Sequence, residues 1–320
     1  MWKFITRRIL LMIPQLFLLS LIVFLLAKAM PGDALTGAIN DPGIDRETIA
    51  EMREEMGLNN PWYVQYMEWA GHALTGDFGV SYTHKMPVSE IVAQRLVNTF
   101  WLSLTAVVFV YIISIPLGII SGRWNDSLAD RMITGYTYIG FAAPLFIFAL
   151  IMLFIFGFQL GWFPTGGSVA PNTGNPFEYV LSKIYHLILP ALSMALIATV
   201  STVQYLRSEI IDTKHKEFIL TARSKGIGES NVYSRHILRN SLLPIAAFFG
   251  YEITGLIVGS IFVETIFSYP GMGQLFLDSI QLRDFSVVTA LVLLFGAATI
   301  LGALLSDVIM SIVDPRIRIK

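Results

Sequence analysis

The chain has 320 residues, of which 54% are hydrophobic and 14% are charged, and its net charge is −1. A soluble domain carries about 25% charged residues, so this composition indicates an integral membrane protein. The near-neutral charge gives no indication of a nucleic-acid partner. The absence of cysteine excludes disulfides, thiolate metal sites and cysteine nucleophiles.

Six apolar runs are long enough to cross a bilayer as helices, which takes about 20 residues. Backbone polar groups cannot stay unpaired in hydrocarbon, and no run shows the period-two alternation of a barrel strand, so we expect helices. The predicted fold class is therefore an all-α integral membrane protein with six transmembrane helices. The runs lie at about 9–27, 99–121, 132–158, 184–206, 244–266 and 286–311.

The first run could instead be a cleaved signal peptide, since basic residues precede it and a small-x-small A-K-A follows it. Its apolar stretch is longer than the usual 7–15 or so residues of a signal peptide. Lys28 also lies inside the would-be cleavage site. The pattern therefore favours a retained helix.

The basic residues predict a multi-pass protein of the cell membrane with both termini in the cytoplasm. With the amino terminus inside, the inner segments carry fifteen Lys and Arg, whereas the two short outer loops carry one each, Lys183 and Arg283. An excess of basic residues in short loops marks the cytoplasmic side. The loop 207–243 contributes seven of them, and its charges would be costly inside the bilayer.

The segment 28–98 is polar and acidic and is predicted to lie outside the cell. Within it, NPWYVQYMEWAGHALTG predicts a helix with Asn60 as its cap and Pro61 at its first position. An aromatic stripe on this helix either lies at the membrane surface or packs on the protein's own outer face. The stripe consists of Trp62, Tyr66, Trp69 and Ala73.

No sequence motif supports an enzyme active site. The patterns G-x-x-x-x-G-K-[ST], H-E-x-x-H and G-x-S-x-G are all absent, so the chain has no Walker A loop for nucleotide phosphates. The five histidines are scattered along the chain, and His186 is better explained as a hydrogen-bonded interfacial side chain than as a metal ligand. The chain is therefore predicted to be neither an enzyme nor a metal-binding protein.

Three carboxylates within the apolar runs are candidate translocation-path residues. Glu252 lies about 12 Å beyond Pro244 in the fifth run, at a rise of about 1.5 Å per helical residue. Glu264 is near the outer end of that run, and Asp307 is near the inner end of the last. Charge in lipid is costly, so such residues face a water-filled path or form interhelical hydrogen bonds that position the helices.

Most of the basic loop lies within the sequence KEFILTARSKGIGESNVYSRHILRNSLLPI, which spans residues 216–245. A short helix with Phe218, Ile219 and Ala222 on one face is predicted to end at a turn formed by Gly226 and Gly228. A second helix then leads back to the membrane. So short a first helix needs a partner surface, which is another protein, the chain's own bundle or anionic lipid headgroups.

This loop resembles the conserved EAA loop of membrane permeases from ABC-type peptide importers. Thr221 and Ala222 stand where that family has alanines and Gly226 where it has glycine, whereas Leu220 replaces the usual glutamate. The pattern H-x-x-R-N-[AS]-L-x-P of the oligopeptide and dipeptide branch follows. It is matched by His236, Arg239, Asn240, Ser241, Leu242 and Pro244. The segments MPGDAL, GDFGVSY, LGWFPTGG, VETIFSYPGMG and DPRIR resemble further signatures of the family, in the same order.

The resemblance implies the type I ABC importer permease fold with a cytoplasmic coupling-helix loop. It further implies the B-type permease subunit of an ATP-driven dipeptide or oligopeptide importer. Such a subunit forms a heterodimer with a second permease and works with two cytoplasmic ABC ATPases and an extracytoplasmic peptide-binding protein. ATP and Mg would then be bound by the ATPases, and this chain needs no cofactor. Coupling to the ATPase is implied for Leu220, Thr221, Ala222, Arg223, Lys225 and Gly226.

The implied domains are an N-terminal helix with an extracytoplasmic platform (1–94), a type I transmembrane domain (95–311, coupling loop 207–243) and a cytoplasmic tail (312–320). Three alternatives remain open on the sequence alone. They are a nickel-chelate importer permease of the same family, a self-sufficient secondary transporter with sites at Glu252 and Asp307, and an anchor that only scaffolds ATPases.

Overall fold

The computed structural model describes residues 2–29, 50–51, 54, 58–171, 173–242, 245, 252, 254–255 and 258–313. Within these residues the regular structure is helical, apart from an isolated bridge between Val80 and Pro87. The predicted all-α class is therefore confirmed for this part of the chain.

Eleven helical segments are numbered here in chain order. The first six are α1 (Trp2–Ala29), α2 (Trp62–Leu74), α3 (Val88–Arg123), α4 (Leu128–Ala142), α5 (Leu145–Met152, continued by the π-helical Leu153–Gln159) and α6 (Pro176–Lys214). They are followed by α7 (Glu217–Ser224), α8 (Glu229–Asn231, the π-helical Val232–Leu238 and Arg239–Ser241, without a break), α9 (Ile261–Ile266), α10 (Met272–Gln281) and α11 (Phe285–Val313).

Among the described residues, α1, α3, α6 and α11 are each long and apolar enough to cross a membrane. The predicted run 132–158 is not one straight helix, because α4 and α5 meet at a bend of 108°. The residue before a proline is disfavoured in helical conformation, and Ala143, which precedes Pro144, is extended. The fifth predicted run, 244–266, lies largely outside the described residues, so the count of six spans stays a prediction.

The centre of the bundle is the pair α3 and α6, which lie side by side and run in the same direction. Gly118 packs against Leu206 and, one turn later, Gly122 packs against Ile210. A Cβ added at either glycine would lie within 3 Å of the facing side chain. Small residues therefore let the two backbones approach closely, as at many helix contacts in membranes.

The first helix packs along the last one. Leu19 of α1 fills the space over Gly296 of α11, and the Arg8 guanidinium lies 2.9 Å from the Asp307 carboxylate. The C-terminal half of α1 also packs against α2, where the Ser20 hydroxyl lies 2.8 Å from the Tyr66 hydroxyl. These contacts make α1 part of the folded bundle.

The aromatic stripe of α2 packs on the protein itself through two of its members. The rings of Tyr66 and Trp69 lie 5.5 and 5.7 Å from that of Phe24 on α1. Trp62 stays half exposed. The predicted cap was wrong, because Pro61 occupies the cap position and makes no side-chain bond. The Asn60 carbonyl instead accepts a hydrogen bond from the Gln65 amide.

Candidate functional site

The short helix α7 has one face turned into the bundle and one face turned to solvent. Ile219 and Ala222 are buried, and they belong to an apolar cluster built by three elements. The other buried members of this cluster are Leu206 and Ile210 of α6, Val232, Tyr233 and Ile237 of α8, and Ile245. Phe218 lies on the exposed side, so the predicted apolar face was right for Ile219 and Ala222 and wrong for Phe218.

The solvent face of α7 carries most of the residues assigned to coupling. Thr221, Arg223 and Lys225 are exposed, and Leu220 keeps 57% of its surface exposed. Ala222 contacts its own bundle instead. A protein that binds α7 would therefore contact Leu220 and the cationic side chains beside it. It would not contact Ala222 directly.

The turn after α7 depends on glycine for its backbone conformation. Gly226 has a φ of +74°, in the left-handed region that side chains disfavour, and its N–H donates to the Arg223 carbonyl at 2.9 Å. No atom lies within 4 Å of an added Cβ, so conformation and not space requires the glycine. The predicted helix–glycine–helix elbow is confirmed.

An ion pair spans this turn between the two helices of the elbow. The Arg223 Nε donates to Glu229 Oε1 at 2.7 Å and the Arg223 Nη2 to Oε2 at 3.2 Å. Both side chains are largely exposed, and the guanidinium lowers the pKa of Glu229. Because water screens an exposed ion pair, this pair adds little to the free energy of unfolding. Its effect is mainly to orient the two helices of the elbow relative to each other.

A buried ion pair joins Arg207, near the end of α6, to Asp130 in the first turn of α4. The Asp130 carboxylate accepts hydrogen bonds from Arg207 Nε at 2.7 Å and Nη2 at 2.8 Å. It also accepts from the Asp126 N–H at 2.7 Å and from the Ser121 hydroxyl. The Asp130 side chain is 3% exposed and that of Arg207 24% exposed. Such a bidentate contact fixes both distance and orientation.

Further contacts join the end of α3 and the loop after it to α6 and to the elbow. The Lys214 ammonium, at the end of α6, donates to the Arg123 carbonyl at 2.8 Å and to the Asn125 side chain at 2.9 Å. The Arg123 guanidinium in turn lies 4.6 Å from the centre of the Tyr233 ring in α8. Together with Asp130–Arg207, these contacts form what we call the inner joint, which links the elbow to α3, α4 and α6.

The sequence did not reveal the inner joint. From the sequence, Arg207 and Lys214 are only two of the basic residues of the loop 207–243, and nothing in the sequence analysis singles out Asp130. The one local signal was Ser127, which caps α4 by accepting from the Asp130 N–H and so fixes Asp130 in the first turn.

The three candidate path carboxylates lie in separate places. Asp307 pairs with Arg8, and Glu252 lines a cavity. Glu264 is fully buried. Its carboxylate accepts from the Thr99 hydroxyl at 2.9 Å and from two backbone N–H groups at the start of α10. These donors belong to Gly273, at 2.6 Å, and Gln274, at 3.0 Å.

The segment VETIFSYPGMG is built around this buried carboxylate. A Cβ at Gly271 would lie 2.5 Å from the Glu264 carboxyl carbon, and one at Gly259 would lie 2.3 Å from its Oε1. The glycines thus leave room for the carboxylate to reach α10. A turn at Pro270 and Gly271 leads into α10, and Glu264 ties both to the N-terminal end of α3 through Thr99.

No cluster of three or more His, Asp or Glu side chains suited to a metal ion occurs among the described residues. His186 is buried and its Nδ1 lies 2.7 Å from the Ser182 carbonyl, one turn earlier in α6. It therefore has the hydrogen-bond partner that the sequence predicted for it.

Long apolar helices around a parallel central pair, with a polar two-helix elbow at one end, are the features of a multi-pass helical membrane protein. Residues 114–319 match the family described as binding-protein-dependent transport system inner membrane component, and residues 1–105 match the N-terminal family of the same membrane components. The chain belongs to this family. The resemblance in its loop motifs is thereby confirmed.

Full-length relatives support the same assignment. The chain is 41% identical over 319 residues to the oligopeptide transport system permease protein AppB of Bacillus subtilis, covering 99% of both chains. It is 33% identical over 320 residues to the glutathione transport system permease protein GsiC of Escherichia coli K12, covering all of both chains. The same identity and coverage hold for GsiC of Salmonella typhimurium.

Proposed function

We propose that this chain is a membrane-spanning permease subunit of an ATP-driven peptide importer, and that α7 couples it to a cytoplasmic ATPase. The observation that carries the proposal is the two-faced geometry of α7. One face is anchored in the bundle through Ile219 and Ala222, while Leu220 on the other is left exposed at the end of a basic loop. The names of the relatives, which concern oligopeptide and glutathione transport, support peptides as the cargo.

The inner joint could transmit a displacement of α7 to the helices α3, α4 and α6. A displacement of α7 presses on the apolar cluster that it shares with α6 and α8. The Asp130–Arg207 pair and Lys214 then move the inner ends of α3 and α4 together with α6. Closely packed helices transmit such displacements as rigid bodies. Closure of the ATPases would in this way rock the helices between inward-open and outward-open arrangements.

The remaining parts of the importer follow from the family resemblance. A second permease would complete the path as a heterodimer, two ATPases would bind ATP and Mg in the cytoplasm, and a binding protein would deliver peptide from outside. The basic loops support a cytoplasmic location for both termini and for α7. The segment 28–98 would then face the binding protein, and six spans would cross the membrane.

Reconstitution in liposomes tests this function. The chain is purified in complex with a second permease and the ATPases, and uptake of a labelled peptide is measured in the presence of the binding protein. We expect uptake with ATP and none with a non-hydrolysable analogue. Liposomes that contain the chain alone are the control and should take up nothing. Peptide movement by the chain alone, without ATP, would contradict the proposal and favour a secondary transporter.

A further inference from the structure

A cavity of about 320 Å³ lies between the two central helices, the start of α5 and the segment before α9. Its walls are largely apolar and include Val110 of α3, Leu145 of α5 and Met194 of α6. Two polar side chains stand out among its lining, the Glu252 carboxylate and the Ser103 hydroxyl. A volume near the lower end of ligand pockets, which run from about 300 to 1,000 Å³, suits one end of a larger molecule.

The Ser103 hydroxyl is the second polar group of this lining. Ser103 as a residue is 3% exposed, and its hydroxyl oxygen is buried without a hydrogen-bond partner among the described residues. The other serine of the lining, Ser260, differs in this respect because its hydroxyl accepts from the Val263 N–H and caps α9. Buried hydroxyls are normally hydrogen-bonded. A hydroxyl without a hydrogen bond in the lining of a cavity therefore suggests a partner that is bound only during part of the transport cycle.

The Glu252 carboxylate determines the charge that this partner should carry. Among the described residues that line the cavity there is no Lys, Arg or His. A carboxylate between apolar walls at membrane depth is stabilised by a cation. A ligand that brings a positive charge and hydrogen-bond donors would satisfy Glu252 and Ser103 together.

We infer that this cavity binds the α-ammonium group of the peptide during transport, with Glu252 as its counter-ion and Ser103 as a hydrogen-bond acceptor. The inference rests on the proposed function, since it names the part of the cargo that this chain recognises. The α-ammonium is present in every unmodified peptide, whatever its side chains. Apolar walls form no hydrogen bonds that would select particular side chains, so such a site would accept peptides of many sequences.

Charge-selective labelling of a single thiol tests the site directly. The chain has no cysteine, so Ser103→Cys places one thiol in the cavity wall. In the assembled complex, adducts with a cationic and an anionic methanethiosulfonate reagent are quantified on this chain by mass spectrometry, and the rates are normalised to those of a free thiol. We expect the cationic reagent to react at least about tenfold faster. Glu252→Gln in the same background should bring the ratio close to one.

Protection by peptide identifies the group that is bound. Trialanine, which has no cationic side chain, should slow labelling of Ser103→Cys severalfold, whereas N-acetyl-trialanine at the same concentration should not. Equal protection by both peptides, or by neither, would overturn the assignment of an ammonium site. A charge preference that survives Glu252→Gln would overturn the role of Glu252.

Two controls keep these outcomes interpretable. ATP-driven uptake by the Ser103→Cys complex is measured first, and if this complex is inactive, Ala106→Cys supplies a thiol one turn further along the same cavity wall. Uptake by the unmodified complex is measured separately. Normal uptake without charge selectivity would reject only the ammonium site, whereas a complex that transports no peptide would reject the proposed function.

Discussion

Replacing Leu220 with Asp should reduce ATP-driven uptake by at least about 30-fold, with little change in the amount of chain in the membrane. Leu220 is largely exposed, and exposed substitutions usually change the free energy of unfolding by about 0.5 kcal/mol or less. Loss of an anchor residue at an interface, by contrast, costs about 2 kcal/mol or more of binding free energy. The measurements are peptide uptake, co-purification of the ATPases and membrane abundance.

A matched leucine and a buried neighbour serve as controls for that variant. Leu74 is 90% exposed at the end of α2, on the segment assigned to the outer side, so Leu74→Asp should keep the ATPases bound. Ala222→Glu should lower abundance as well as uptake, because Ala222 packs into the apolar cluster of its own chain. If Leu220→Asp retained both ATPase binding and uptake, α7 would not be the coupling element.

Removing the carboxylate of the inner joint should destabilise the part of the bundle where α3, α4 and α6 meet the elbow. In Asp130→Ala, the Arg207 guanidinium loses both of its bonds to the carboxylate while most of its surface stays buried. Removing one partner of a buried ion pair lowers the free energy of unfolding by about 3–5 kcal/mol. We expect about 3 kcal/mol here, because Arg207 is partly exposed to water. We expect a lower melting temperature in detergent and a loss of uptake that exceeds the loss of abundance.

A double-mutant cycle separates the ion pair from its surroundings. Asp130→Ala combined with Arg207→Ala should be less destabilised than the sum of the single variants, by about 1–3 kcal/mol, since no unpaired charge remains. Asp126→Asn is the control, because it alters an exposed carboxylate of the same loop at a φ of 67° that asparagine tolerates. Additive effects of the two alanine variants would show that the pair does not act as one unit.

Local features of this protein could be predicted from the sequence. The helix α7, the glycine turn at Gly226 and the helix α10 are each specified by periodicity and breakers within a few residues, and each is present. The bend between α4 and α5 also has a local cause in Pro144. It was missed because an apolar run of sufficient length was read as one span.

Features that depend on distant residues could not be predicted in this way. Glu264 and Thr99 are 165 residues apart in the chain, and Asp130 and Arg207 are 77 apart. Spacing along one helix gives no information about such partners. For the same reason the sequence did not show that Ala222 faces inward and Phe218 outward, because the docking of α7 on α6 and α8 decides that choice.

Cross-linking from a single thiol on α7 tests most directly whether this chain is driven by a separate cytoplasmic ATPase. Leu220→Cys is the only cysteine of the chain and lies on the exposed face of α7. In membranes that hold the assembled importer, a short thiol-to-amine cross-linker should join it to an ATPase subunit, and Ala222→Cys should give no such product. Labelling of Leu220→Cys by an impermeant reagent from outside intact cells, without any ATPase adduct, would contradict the coupling role.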